Sequence, residues 1–373
     1  MAAVDDRLPP ARSAARLPGR RVSSTPGSVD TRFGEGDGPT LLVASTGGHL
    51  EQMRRLRGRL VGSVGAVEWA TFDGNQSRSL LRDDTVHYVD YIRPRDLTAA
   101  VRDLPDAVRI LRAGGYRAVV STGAGIAVPF FLAAKSLGIP RYYIESAARA
   151  AGPSLTGRIV SRIPGTRLFT QYPELATGRW SYCGSLFDGF EAGPALEAPP
   201  TPHRVVVTLG TMPRYGFRRA VERLVRILPD VASPDAEVMW QTGATDLTGL
   251  GITGSNQIPA DELRTAIQEA DLVIAHGGIG SALTALDAGK MPVMIPRRVE
   301  FDEHVDDHQA LICTHLGSRG IALSREVHEL EAADLWRAAA GTVRAGAPAP
   351  MVLGGPAGRS TRQHRRVLRP ALR

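Results

Sequence analysis

The chain has 373 residues, 43% hydrophobic and 22% charged, which is the balance of an ordinary globular protein and room for about two domains. Its net charge is +7, carried almost wholly by arginine, with Lys135 and Lys290 the two lysines; arginine suits bidentate phosphate contacts, but no aromatic residues interleave the arginine clusters as a nucleic-acid surface would need. Two cysteines, Cys183 and Cys313, exclude a disulfide framework and a cysteine metal cluster, and the most apolar run, 118–134, is too short and too broken to span a bilayer or to serve as a secretory signal.

Residues 1–38 are rich in Arg, Ser, Pro and Gly without hydrophobic period and read as a disordered basic leader. Order begins with a strand at 40–44. It runs into Ser45-Thr46-Gly47-Gly48-His49 and then into a helical pattern with apolar residues at 50, 53, 56 and 60. Further strands are expected at 64–71, 86–91, 117–121 and 141–144, with helices at 96–113 and 126–137. This alternation predicts a parallel sheet covered on both faces. Residues 188–202, loose with Gly and Pro, read as a linker. A second sheet starts at 205–209 and exits into Gly210-Thr211. A helix at 217–228, a strand at 237–241, a weak strand at 255–258 and a helix at 261–269 follow.

The stretch 271–309 carries the densest signal. A strand at 272–275 empties into His276-Gly277-Gly278-Ile279-Gly280-Ser281, and a helix follows at once. A second strand at 292–295 leads into Asp306-Asp307-His308-Gln309. Helices are expected at 302–316 and 326–340, and a basic tail from 341, with arginines clustered at 359–369. The fold class is therefore α/β. Two Rossmann-like parallel-sheet domains, 39–187 and 203–340, present their glycine turns to a common cleft.

Those turns have a chemistry. Glycines let the backbone approach a ligand, and a helix start offers unpaired N–H groups and about half a positive charge, which favours phosphate. His49, just past two glycines, is a candidate general base or positioning donor, with its pKa lowered by the helix start. Glu145 ends the strand at 141–144 and reads as a ligand for a sugar hydroxyl, as an orienter of the base, or as a helix-start carboxylate or buried ion pair. Gly210-Thr211 offers N–H groups and a hydroxyl to a diphosphate. His304 and His308 stand four apart on an expected helix, but Val305 occupies the place of the zinc-protease glutamate. The interior also lacks an Asp-x-Asp pair, so no metal and no resident cofactor is expected.

At this point the residues resemble known families. VTLGT (207–211), the HGGIGS loop (276–281), AL-x-AGK-x-P (285–292) and PRRVEFDEHVDDHQ (296–309) are similar to the glycosyltransferase family 28 C-terminal domain and to Alg13-like catalytic subunits. STGGHL (45–50), STGAGIAVPFFLAAKSLGIP (121–140) and YYIES (142–146) resemble the Alg14-like partner subunit. The chain thus looks like both subunits fused, a layout similar to the MurG transferases and to bacterial capsular and exopolysaccharide glycosyltransferases.

The resemblance implies the GT-B architecture and an inverting transfer from a UDP-sugar, the co-substrate, to a saccharide on a polyprenyl diphosphate. It implies a cytoplasmic protein in peripheral contact with the anionic inner face of the membrane, reached through the basic termini. The turns and the resemblance together place Gly210, Thr211, Gln241, His276, Gly277, Gly278, Gly280, Ser281, Thr284, Asp307, His308 and Gln309 on the donor side. They place Thr46, Gly47, Gly48 and Gly123 in an acceptor-side loop, with His49 and Glu145 as catalytic candidates. Two departures stand out. Many relatives carry a ribose-binding Glu on the helix after the glycine loop, where this chain has Thr284 and Ala285, with Asp287 just after. Many Alg14-like partners also begin with a membrane anchor that the sequence here does not show. Two alternatives remain: a UDP-sugar 2-epimerase of the same fold, which needs no acceptor, and a non-catalytic scaffold of a membrane complex.

Overall fold

The short apolar runs at 40–43, 118–121, 141–144 and 293–295 fold as strands buried along their whole length. The protein is described by a computed structural model covering residues 37–60, 65–93, 96–212, 214–351 and 353. Seven strands make the first sheet: β1 (Thr40–Val43), β2 (Val67–Phe72), β3 (Val86–Val89), β4 (Ala118–Ser121), β5 (Arg141–Ile144), β6 (Thr166–Thr170) and β7 (Trp180–Tyr182). The chain then forms β8 (Phe190–Ala192) and enters the second sheet, β9 (Arg204–Thr208), β10 (Glu237–Gln241), β11 (Leu272–His276), β12 (Val293–Ile295) and β13 (Leu323–Ser324), before a last strand, β14 (Val343–Ala345). Every pairing within the two large sheets is parallel.

The strand orders fix where a ligand can sit. The first sheet runs β3-β2-β1-β4-β5-β6-β7 and the second β10-β9-β11-β12-β13. Each reverses direction once, between β1 and β4 and between β9 and β11. At such a switch point the two crossover helices leave to opposite faces and open a crevice beyond the strand ends. Register confirms the adjacency: Leu42 lies between Trp69 and Val120, and Val206 between Met239 and Val273.

Helices close both faces because their apolar residues recur at helical spacing. The helix Gly48–Arg59 buries Leu50, Met53 and Leu56, and Arg218–Ile227 buries Ala220, Val221, Leu224 and Ile227. One apolar cluster crosses from the first domain to the second, joining Leu50 and Met53 with Ile279, Leu283, Ile312 and Leu316. His315 seals that junction edge-on against Tyr172, ring centres 4.9 Å apart.

Several expected elements differ. The helix expected at 96–113 is two, Leu97–Arg102 and Leu104–Gly114, because Pro105 must begin a helix and cannot continue one. The helix expected at 302–316 starts only at His308: Asp302 holds a left-handed φ of 51° after a 3-10 turn, so residues 302–307 form a loop. His304 and His308 therefore do not share a helix. The weak strand at 255–258 is a single bridge between Gln241 and Ser255. The helix expected from 326 is confined to Ala332–Ala340, where Glu331 and Asp334 form a capping box.

Two connecting regions are also corrected. The 188–202 linker contains β8, and the tail after 341 contains β14, and these two pair antiparallel. Beyond them Met351 and Leu353 are buried against the first domain's core. Most of the basic leader and the arginines at 359–369 lie outside the described residues. No described helix is long and apolar enough to cross a membrane.

Candidate active site

Both switch points carry a histidine built in the same way. In the first domain, β1 exits through Ser45 and Thr46 to Gly47, whose φ of +86° suits glycine, and the helix begins at Gly48. His49, in the first turn, is held by a contact of 2.9 Å between its Nδ1 and the carbonyl of Thr122, just past β4. Since a carbonyl only accepts, Nδ1 carries the proton and Nε2 is left with a lone pair. The Thr122 hydroxyl returns a bond to the His49 carbonyl at 3.1 Å. Gly123, at φ +114°, lies against the ring: a Cβ there would meet His49 Cε1 at 3.2 Å and Tyr143 OH at 2.9 Å. Burial lowers the His49 pKa, the Thr122 carbonyl opposes that, and the charge of Arg149 lowers it further. The exposed Gly47 amide N–H donates to Gln76 at 2.5 Å, a partner that sequence reasoning missed.

In the second domain, β11 exits through His276 into Gly277 and Gly278, and the helix Ile279–Asp287 follows. His276 Nδ1 lies 3.3 Å from the carbonyl of Thr208, at the end of β9. Gly210 and Gly278 wall the ring; a Cβ on Gly278 would come 2.3 Å from its Nε2. Burial, then the cation Arg297, push the His276 pKa down to about 3. The first N–H groups of the following helix, at Ile279, Gly280 and Ser281, have no partner within the helix. Thr284 turns its hydroxyl onto the Gly280 carbonyl at 2.9 Å, and Asp287 pairs across the domains with Arg55 at 2.7 Å.

Arg297 was not foreseen, and it organises this half. It is 1% exposed, and its guanidinium donates to the carbonyls of Leu209 (2.5 Å), Tyr215 (3.0 Å) and Glu303 (3.4 Å). It therefore ties the Gly210-Thr211 turn to the loop before His308. Burial brings its pKa to about 10, so it remains a cation at neutral pH beneath the site. Its own amide N–H is taken by Gln309 Oε1 at 3.0 Å.

Three of the expected site residues have partners inside the protein. Gln241, expected among the donor contacts, is 4% exposed and fully engaged inside: Nε2 donates to Thr208 Oγ1 at 2.9 Å, and Oε1 accepts from the Ile258 amide at 3.0 Å. It supports the β9 exit from behind. Glu145, expected as catalytic, is 2% exposed and accepts from Ser154 N (2.9 Å), Ser154 Oγ (3.2 Å), Ser146 N (3.2 Å) and Tyr143 OH (3.3 Å). It orders the loop after β5, and burial raises its pKa. Gln309, expected at donor hydroxyls, commits its carbonyl oxygen to the Arg297 backbone. Asp307 remains at the mouth, its side chain 58% exposed, with Oδ1 accepting from Val299 N at 3.3 Å.

The two domains meet over a cavity of about 610 Å³, lined by Arg149, Arg158 and Arg298 together with Asp306, Asp307 and His308. Asp306 contacts the Nδ1 atoms of both His304 and His308, and these ring nitrogens and the carboxylate lie within 4.8 Å of one another. Its other oxygen is already neutralised by Arg149 at 3.0 Å. Cys183 and Cys313 are buried and free, with thiols pushed up to about 12 by burial.

Comparison with known proteins agrees with this layout. Residues 204–335 match the glycosyltransferase family 28 C-terminal domain. The chain is 28% identical over 60% of its length to the UDP-N-acetylglucosamine–N-acetylmuramyl-(pentapeptide) pyrophosphoryl-undecaprenol N-acetylglucosamine transferase of Parasynechococcus marenigrum, spanning 63% of that protein. It is 25% identical over 76% of its length to the enzyme of the same name from Xanthomonas campestris, spanning 69% of it. Among solved structures, Acinetobacter baumannii MurG superposes with a TM-score of 0.56 at 19% identity, covering 82% of this chain and 94% of that one. The glycosyltransferase SnogD from Streptomyces nogalater gives 0.52 at 22% identity, covering 82% and 90%. The chain thus has the GT-B fold, is similar to MurG, and matches the glycosyltransferase family 28 C-terminal domain over residues 204–335.

Proposed function

We propose that the protein is an inverting UDP-sugar glycosyltransferase acting on a saccharide linked to a polyprenyl diphosphate. The observation that carries the reading is the second switch point. It is a glycine turn and helix start backed by a neutral His276 and a buried Arg297, inside the region that matches the family 28 domain. Neutral N–H dipoles over a fixed cation suit a diphosphate leaving group, whose charge grows as the glycosidic bond breaks. We propose that no metal is needed for that role. Opposite, His49 has its Nε2 lone pair free to accept the proton of an acceptor hydroxyl as that oxygen attacks the anomeric carbon. The named activity of the relatives, N-acetylglucosamine transfer to a pyrophosphoryl-undecaprenol acceptor, supports the donor and acceptor classes. Synthesis of a surface polysaccharide, a hexose as the transferred sugar, an Alg13/Alg14-like subunit origin and attachment to the inner membrane face are parts of the same proposal.

A thermal-shift series against UDP, TDP, GDP and UDP-sugars, with and without EDTA, tests the donor half, because a ligand bound by the native state alone raises its melting temperature. A shift with UDP compounds that survives EDTA is expected. No shift with any nucleotide would overturn the reading, and conversion of a UDP-sugar without acceptor would replace it with epimerisation.

A further inference from the structure

The loop after β5 places Arg149 in the first domain within reach of Asp306 in the second. Its Nη1 donates to Asp306 Oδ2 at 3.0 Å across 157 residues of sequence. The pair stands at the wall of the interdomain cavity, with side chains 37% and 28% exposed. One nitrogen of a five-donor fork is used in this contact, which leaves donors for a second acceptor. Asp306 has other partners besides Arg149: His304 from its own loop and His308 from the start of the following helix both contact it. Arg149 is flanked in sequence by the small residues Ala147, Ala148, Ala150, Ala151 and Gly152. Arg158 and Arg298 line the same cavity. An arginine held by one exchangeable carboxylate, among other cations, is built to receive a phosphate bidentately.

We infer that Arg149 is a diphosphate-binding residue that trades Asp306 for a phosphate group of the substrate, so that the Arg149–Asp306 ion pair is the substrate-free resting state of the cleft. The inference rests on the transferase reading and adds a residue to it. The diphosphate comes either from the nucleotide donor or from the lipid-linked acceptor. The exchange also reaches the chemistry. The charge of Arg149 bears on His49, Tyr143 and Glu145 in the first domain and on Asp306 and His308 in the second. Burial is the larger cause of the lowered His49 pKa and the charge of Arg149 the smaller; a phosphate on Arg149 adds negative charge beside it and opposes that smaller part.

The test is calorimetric titration of the full chain, wild type and variants, with UDP and separately with farnesyl diphosphate as a soluble prenyl diphosphate. Arg149→Gln is expected to weaken one of the two by about 10- to 100-fold, the scale of a lost charge-assisted hydrogen-bond pair; the ligand affected names the source. Arg149→Lys, which keeps the charge but not the fork, is expected to lie between. Asp306→Asn, which removes the competing carboxylate, is expected to bind the same ligand as tightly as wild type or tighter. A purely structural latch predicts the opposite: both variants lower the melting temperature and neither shows a selective loss of diphosphate. Equal affinity of wild type and Arg149→Gln for both ligands would overturn the inference and leave the transferase reading standing. Wild type binding neither ligand would overturn both.

Discussion

The two histidine turns use one device and obtain different results. Each histidine follows a strand at a switch point and gives its Nδ1 proton to a carbonyl at the end of the neighbouring strand, Thr122 for His49 and Thr208 for His276. What separates them is the wall. His276 is packed between Gly210 and Gly278 over the buried cation Arg297, and its pKa falls to about 3. Gly123 approaches His49 on one side, a Cβ added at Gly47 or Gly48 would meet nothing within 4 Å, and the nearby cation Arg149 is part-exposed. The same glycine turn thus holds one histidine against a buried cation, with its pKa brought down to about 3, and the other beside a part-exposed cation, with its pKa lowered by burial first.

Acid should expose the difference most. A histidine whose folded pKa is depressed stabilises the fold fully above its unfolded value near 6.5, and that stability is lost as pH falls toward the folded value. For His276 the window runs from about 6.5 down to about 3, and the full loss is on the order of 5 kcal/mol. Melting curves of wild type and His276→Gln across that range should diverge, with the variant less acid-sensitive. Parallel curves would show that His276 is not the enclosed member of the pair.

Turnover should divide the pair the other way. His49→Ala is expected to lower kcat by about 100-fold or more, the usual scale for a lost general base, with UDP affinity unchanged. A variant that kept its kcat would remove His49 from that role. The glycines provide the finer contrast. Gly278→Ala drives a methyl into the His276 ring and should cost about 1–3 kcal/mol of stability, as overpacking does. Gly48→Ala meets nothing within 4 Å and should stay within about 0.5 kcal/mol. Thermal melts of the two variants measure the difference in enclosure directly.

The local parts of this site were legible because strand, glycine turn and helix start are set by neighbouring residues. His49, Gly210 and the 276–281 loop could be placed from composition and period alone. The parts that were missed are those made by distant partners. Arg149 and Asp306 meet across a domain boundary, Arg297 reads as one arginine among many, and β8 and β14 are three-residue strands among glycines and prolines. Gln241 and Glu145 show the converse case. A polar residue at a strand end looks like a ligand contact, yet each also bonds amides and hydroxyls of the protein itself. The failed helix at 302–307 follows from Asp302 taking a left-handed turn, which its helical neighbours gave no sign of.

The antiparallel pairing of β8 with β14 has a mechanical consequence. The segment leaving the first domain and the segment returning to it are zipped together, from Gly189–Gly346 through Gly193–Thr342 to Leu196–Ala340. A single covalent strand would let the second domain swivel in any direction. Two strands bonded side by side resist twisting and yield by bending, like the leaf of a hinge. Any rotation of the second domain against the first therefore has to bend both strands together or break these hydrogen bonds.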